Sequence, residues 1–199
     1  MLAVMAVVLL LLAAGVRVLG DAAAQACRTA TDTFISLVEQ ARNTAITSRS
    51  IVVLALAEPG DLPSGEERGH LGLFKIAQWP ADPGTLDGTL LRRWQALPNG
   101  TVVLPGAVDG LRNPRDESET TIRYLAGNLP TQGRFHIIAF STRGGLLWPA
   151  GSDPLALRVA EGAYRNGQPL PNTHGARGSG AEHRFKIGRV TARPYRCDG

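Results

Sequence analysis

Apolar and polar positions divide the chain into three regimes. Met1 to Val16, MLAVMAVVLLLLAAGV, carries no charged and no strongly polar side chain. From Asp21 to Ser50 the small and apolar positions recur at three- and four-residue steps. Cys27, Ala30, Thr31, Phe34, Leu37, Val38, Ala41 and Ala45 fall on one face of a 3.6-residue helix, and Arg28, Asp32, Ser36, Glu39, Gln40, Arg42 and Asn43 take the other. No Pro or Gly interrupts this stretch, so the pattern predicts one long helix continuous with the apolar run before it. Glu39 and Arg42 stand at a spacing that allows an ion pair on that helix. Its apolar stripe needs a cover, and the chain beyond Ser50 offers strands.

The body reads as short runs punctuated by turns. Ile51–Leu56 is a β-branched run stopped by Glu58-Pro59-Gly60, and Gly60 to Gly69 is a polar loop. Leu71–Trp79 alternates as a strand with both faces partly covered. Pro80 to Gly88 reads as loop, Leu90 to Leu97 as a turn or two of helix, and Thr101–Leu104 as a short strand. Gly106 to Glu119 is polar and irregular, an inserted surface loop. Phe135–Phe140 is the clearest strand, with Ser141 to Gly145 as a hairpin turn and Leu146–Trp148 as its return. Leu155–Val159 alternates, Asn166 to Gly180 is loop, and His183–Pro194 closes the chain as a last strand or pair with Phe185, Ile187 and Val190 inward. The expected fold class is α+β, a long N-terminal helix packed on an antiparallel sheet. Its parts are a hydrophobic half-helix over 1–20, an amphipathic half over 21–50 and a β-rich domain over 51–199.

The apolar run is short for a membrane. Sixteen residues of helix reach only ~24 Å, against ~30 Å of hydrocarbon. A cleaved signal peptide would need basic residues ahead of the run, and none precede it. A plain transmembrane anchor is a second reading. The third, which the rest of the sequence favours, is a helix whose true start lies upstream of Met1. In the last two, Leu2, Val4, Val7, Val8, Leu9, Leu10, Leu11, Leu12 and Val16 form the lipid-facing surface.

Composition adds little to the fold and narrows the chemistry. A hydrophobic fraction of 44% is ordinary, and 23 Gly with 13 Pro suit a turn-rich β body. Net charge is +4, with Arg177, Arg184, Lys186, Arg189, Arg193 and Arg196 crowded near the C-terminus. Such a tail either contacts phosphate, with Arg189, Arg193 and Arg196 as candidates, or guards an edge strand by charge; the second reading is preferred. Cys27 and Cys197 match no zinc or redox spacing. In an extracytoplasmic domain they would be expected to tie the tail to the first helix; otherwise they are two unrelated thiols. His70, His136, His174 and His183 are dispersed, and no nucleophile elbow, phosphate loop or dinucleotide fingerprint occurs. Loop carboxylates at Asp82, Asp87, Asp109, Asp116 and Glu117 lack calcium-ligand spacing. Phe74, Trp79, Trp94, Trp148 and Tyr164 are read as core more than as a binding surface. No enzyme, metal or cofactor is expected.

The helix segment Phe34 to Ile46, FISLVEQARNTAI, followed by Ile51-Val52-Val53-Leu54, resembles the signature of minor pseudopilins, the H-type component of type II secretion and its type IV pilus relatives. Three later pieces resemble that family in the same order: Leu97 to Val102, Ile138 to Gly144, and Ile187 to Val190. The helix is also similar to the Verru_Chthon cassette protein D family. The resemblance implies a pilin-like fold, with the apolar half-helix in the inner membrane and the body outside it. It also implies other pilin-like subunits and the secretion or pilus machinery as partners, and assembly rather than catalysis. Phe34, Leu37, Val38, Ala41 and Ala45 would then pack helix against sheet. The basic leader and the junction with Glu at the fifth mature position are missing, which is why Met1 is read as an internal codon. A DNA-binding minor pilin and a secreted or anchored β-domain with a cleaved signal peptide are the alternatives. Replacing Val8 or Leu10 by Asp should release the protein from the membrane fraction on cell fractionation; retention of either variant contradicts the anchor.

Overall fold

The computed structural model describes residues 2–62, 67–172 and 181–197, with side chains described from Ala22 onward. Helix α1 (Leu2–Thr47) runs without a break. It stops where Thr47-Ser48-Arg49-Ser50 offers hydroxyls that compete for the last carbonyls. Ser48 Oγ donates to the Thr44 carbonyl at 2.6 Å, and the Ser50 N–H returns to the Ala45 carbonyl at 3.2 Å. Arg49 takes the left-handed conformation (φ 48°) that glycine usually fills at this point. The Glu39–Arg42 pair is not made; the Arg42 guanidinium reaches the Thr191 carbonyl and the Asn43 side chain instead.

Five strands close into a small barrel. β1 (Ile51–Ala57) pairs antiparallel with β2 (His70–Ile76) on one side and with β7 (Leu129–Phe140) on the other. β2 pairs with β3 (Thr85–Leu90), and β6 (Thr120–Ala126) pairs with the first half of β7. The ring is completed by β3 and β6, which run parallel over Thr85–Asp87 and Thr121–Arg123. The expected antiparallel sheet is therefore corrected to a mixed, barrel-like one. The reason lies in the connection. The chain leaves β3, adds β4 (Gln95–Ala96) beside β2, crosses into a second sheet as β5 (Thr101–Leu104), and only then returns, a crossover long enough to permit a parallel neighbour.

The second sheet is antiparallel. β9 (Leu155–Arg165) lies between β11 (Glu182–Ile187) and β5, pairs further along with β10 (Gln168–Pro171), and β12 (Pro194–Arg196) adds to β11. β8 (Leu146–Trp148) extends the first sheet from β7. β1 is buried on both faces, which is why its sequence is a continuous apolar run. Val53, Ala55 and Ala57 point into the barrel with Phe74, Ile122, Phe135 and Ile137. Val52, Leu54 and Leu56 point out, toward α1 and the second sheet. The main core is this three-way contact of helix, barrel wall and second sheet.

Several elements differ from expectation. Leu90–Leu97 is not helical: Leu90 ends β3, Trp94 covers Phe74 and Tyr124, and Gln95–Ala96 form β4. Its apolar positions answer to the barrel rather than to a helical face. β6 and the first half of β7 have no strong alternation outside Ile122, Tyr124 and Phe135, and only the Gly127-Asn128 turn marks the hairpin (Gly127 φ 63°). β10 falls within the expected 166–180 loop, made by an Asn166-Gly167 turn with both residues at positive φ (53° and 75°); residues 173–180 lie outside the described part. Val190 is 84% exposed rather than inward, because it sits in the turn after β11. Phe74 is buried, and Trp79, Trp94 and Trp148 pack partly buried against the barrel core.

Gly72 shows how tightly Trp94 is seated. A Cβ at residue 72 would come within 2.6 Å of the indole ring. Gly72→Ala should therefore cost about 1–3 kcal/mol, read as a lower denaturation midpoint with Trp fluorescence shifted toward that of exposed indole.

Candidate assembly surface

The inward stripe of α1 is sequestered. Cys27, Ala30, Thr31, Phe34, Leu37, Val38, Ala41 and Ala45 are all buried. Phe34 meets Phe185 of β11 with ring centroids 5.3 Å apart, and Thr31 satisfies its hydroxyl on the Cys27 carbonyl at 2.9 Å. The opposite stripe, Arg28, Asp32, Ser36, Glu39, Gln40 and Asn43, is exposed. Three polar ties hold the helix to the body from different directions: Arg92 Nη1 to Gln40 Oε1 at 2.8 Å, Arg42 Nε to the Thr191 carbonyl at 2.6 Å, and Arg196 to Asp32. The membrane or filament positions Leu2, Val4, Val7, Val8, Leu9, Leu10, Leu11, Leu12 and Val16 have side chains outside the described set. Among the described residues no helix is long and apolar enough to cross a membrane.

The 106–119 segment is no free loop. Asn113 is fully buried, its amide donating to the Leu104 and Gly106 carbonyls at 2.8 and 3.0 Å while its oxygen caps the 3₁₀ turn Pro114–Asp116. That turn aims Arg115 inward, where it pairs with Glu58 at the end of β1 and donates to the Val103 carbonyl of β5. Only 7% of the Arg115 side chain is exposed, so the pair bridges barrel and second sheet in a largely desolvated place. His136 stands beside it, its Nδ1 3.1 Å from the Glu117 carbonyl, and burial followed by the Arg115 charge holds its pKa below the ordinary histidine value. Asp61 accepts the Glu58 N–H at 2.6 Å; burial, then Glu119, push its carboxyl up to about 6. Sequence reading missed this clasp because its members are scattered over three segments and no spacing links them.

The cysteines and the basic tail are arranged differently from expectation. Cys27 and Cys197 are both free thiols. Cys27 is buried under α1 against the Ala181 carbonyl, its thiol pushed up to about 11, mainly by burial. Arg196 opposes Phe185 on the helix side of the sheet, and the next residue, Cys197, bonds back to the Arg184 carbonyl. Strand alternation therefore turns Cys197 to the other face, so the expected bridge is not formed. Arg196 is engaged with Asp32, and Arg189 donates to the Pro149 and Asp153 carbonyls at 2.5 and 3.0 Å. Lys186 lies 3.1 Å and Arg184 3.8 Å from Asp109. Arg193 is exposed. The described cations of the tail are thus largely tied down within the body, and the phosphate-binding alternative gains no support from them. Among the described residues no group of His, Cys, Asp and Glu could hold a metal ion.

The surface that remains is the barrel's far side. The β6–β7 hairpin ends in Leu125 and Leu129, 60% and 72% exposed. Beside it lies an open groove of about 760 Å³ lined by Lys75, Asp87, Gly88, Arg123, Tyr124 and Pro130, among others. An exposed helix face, an apolar hairpin tip and a groove are features of a subunit that works through contacts. Residues 30–162, about two thirds of the chain, match the family described as type II transport protein GspH. The chain belongs to that family, the type II secretion pseudopilins, which are structural components of a secretion system rather than enzymes. Comparison with curated proteins and with solved structures gave no match.

Asp61 supplies a pH test. Its folded pKa lies above that of the unfolded chain, so its contribution to stability declines as pH rises through the window from about 4 to 6. His136 works in the opposite sense, losing stability as pH falls below the ordinary histidine value. Asp61→Asn keeps an acceptor for the Glu58 N–H. It should stabilise by about 1 kcal/mol at pH 7.5, a figure reduced for the partial exposure of Asp61, and by little near pH 4.5 in denaturant titrations.

Proposed function

We propose that this pseudopilin is a minor, H-type subunit of a type II secretion pseudopilus or a closely related type IV pilus-like filament. The apolar half-helix, residues 1–20, holds the subunit in the inner membrane with the body on the periplasmic side. From there it passes into the filament, packing against the helices of other subunits. Exchange of lipid contacts for protein contacts is nearly neutral in hydrophobic energy, so packing detail decides whether a subunit stays or leaves. The amphipathic half, 21–50, carries the body along one face and leaves the other for neighbours. Processing by a prepilin peptidase belongs to this reading.

The observation that carries the proposal is the division of α1 within the family-matched region. Phe34, Leu37, Val38, Ala41 and Ala45 are consumed by the body, while Ser36, Glu39 and Asn43 are left exposed on the same turns. In this reading the solvated outward stripe, common to any amphipathic surface helix, is the face that meets neighbouring subunits.

The test is photocrosslinking in cells that express the full secretion system. With a photoreactive residue at Ser36 or Glu39, the full chain should form adducts with another pseudopilin, and one at Leu37 should not. A chain that stays monomeric at both outward positions, while the pseudopilus assembles around it, contradicts the proposal.

A further inference from the structure

The parallel ladder that closes the barrel stops early. Its rungs join Thr85 with Thr121, Leu86 with Ile122 and Asp87 with Arg123, beginning at the Thr121 N–H on the Gly84 carbonyl at 3.0 Å. The next rung of a parallel pair would join the Leu125 N–H to the Gly88 carbonyl and the Leu90 N–H to the Leu125 carbonyl. It is not made, and both strands run on beyond it, to Leu90 and to Ala126.

Register fixes where those four groups point. In the β6–β7 hairpin the two-residue turn makes Ala126 and Leu129 a hydrogen-bonded pair, so Leu125, opposite Pro130, directs its N–H and C=O away from β7. Pro130, which has no N–H, occupies the matching position. On β3, the Leu91 N–H bonds the Leu73 carbonyl at 2.8 Å, so the alternate residues Gly88 and Leu90 face away from β2. Two strand edges thus diverge with unspent backbone groups turned toward one another.

The groove of about 760 Å³, open to solvent, lies at this divergence. Tyr124, with no side chain on Gly88 above it, forms part of the lining; Leu125 and Pro130 supply apolar wall. The charges are unequal. Arg123 holds Asp87 bidentately at 2.7 and 2.6 Å, whereas Lys75 is exposed and makes no ion pair among the described residues.

We infer that this groove binds an extended strand of a partner protein subunit, one that pairs with the Leu125 and Gly88–Leu90 edges and sets a carboxylate against Lys75 between apolar residues. Facing backbone edges select an extended polypeptide over other ligands, because only a strand can meet both rows of donors and acceptors. The inference rests on the assembly reading only for who supplies the strand. A peptide tests the groove whether or not a filament forms, so the two can fail separately.

The probe is the extended peptide acetyl-TVEVT-amide, titrated to millimolar concentration into the full chain held in a mild detergent. The expected result is movement of the Leu90 and Leu125 amide resonances, with hydrogen exchange of the Leu125 amide slowed roughly tenfold at saturation. The same peptide N-methylated on alternate residues should bind roughly tenfold more weakly or not at all. Lys75→Glu, a surface change that leaves the fold intact, should reverse the preference, favouring acetyl-TVKVT-amide by roughly threefold or more. No perturbation at Leu90 and Leu125, equal binding of the N-methylated peptide, or indifference to Lys75→Glu overturns the inference. So does a perturbation that grows with protein concentration alone, which would assign the groove to a second copy.

Discussion

The structure depends on one buried contact, the seating of the α1 stripe in the angle between barrel wall and second sheet. Neither sheet could bury its facing side without it. Leu54 and Phe140 look outward from the barrel, Leu157 and Phe185 look inward from the second sheet, and Phe34 and Val38 fill the space between. Removing the ring of Phe34 would open a void that no single layer could close, which is why such cores respond to large-to-small changes by several kcal/mol. This body is thus not a domain with a helix attached; the inner face of the helix is part of its core.

That arrangement also explains what could be read from the chain. The helix was legible because its two faces differ chemically, from Cys27 against Arg28 through Ala45 against Asn43. Thr101–Leu104 and the Phe135–Trp148 hairpin were legible because turn residues bracket compact apolar runs. The barrel was not. Its closing pair, β3 with β6, is built from Thr85-Leu86-Asp87 and Thr121-Ile122-Arg123, in which a single residue of each strand is buried in the barrel core. No alternation survives over three residues. The Asn166-Gly167 turn was a readable signal for β10, outweighed by the Gly- and Pro-rich sequence after it.

The clasp at Glu58 and Arg115 was illegible for another reason: a buried ion pair has no sequence period. Its members are contributed by the end of β1 and by a 3₁₀ turn that only tertiary packing brings inward. The Glu58 carboxylate and the Val103 carbonyl offset part of the cost of desolvating the guanidinium, whose Nε stays buried without a partner among the described residues, and loss of Glu58 would leave a charge stranded between the two sheets. The same turn converts what reads as a surface insertion, 106–119, into the joint between the sheets. The candidate contact surfaces lie instead at the hairpin tip and groove on the barrel's far side.

The polar ties on α1 bear on geometry as much as on strength. Packing of small and apolar side chains along a stripe leaves a helix some freedom to roll. Arg92 holds Gln40 from the barrel, Arg42 reaches Thr191 after β11, and Arg196 holds Asp32 from β12. Stops placed on different sides of a cylinder fix its angle of roll. The azimuth of the body about the helix axis is thereby set before any neighbour arrives, and every subunit built this way would present its hairpin tip and groove at the same compass bearing.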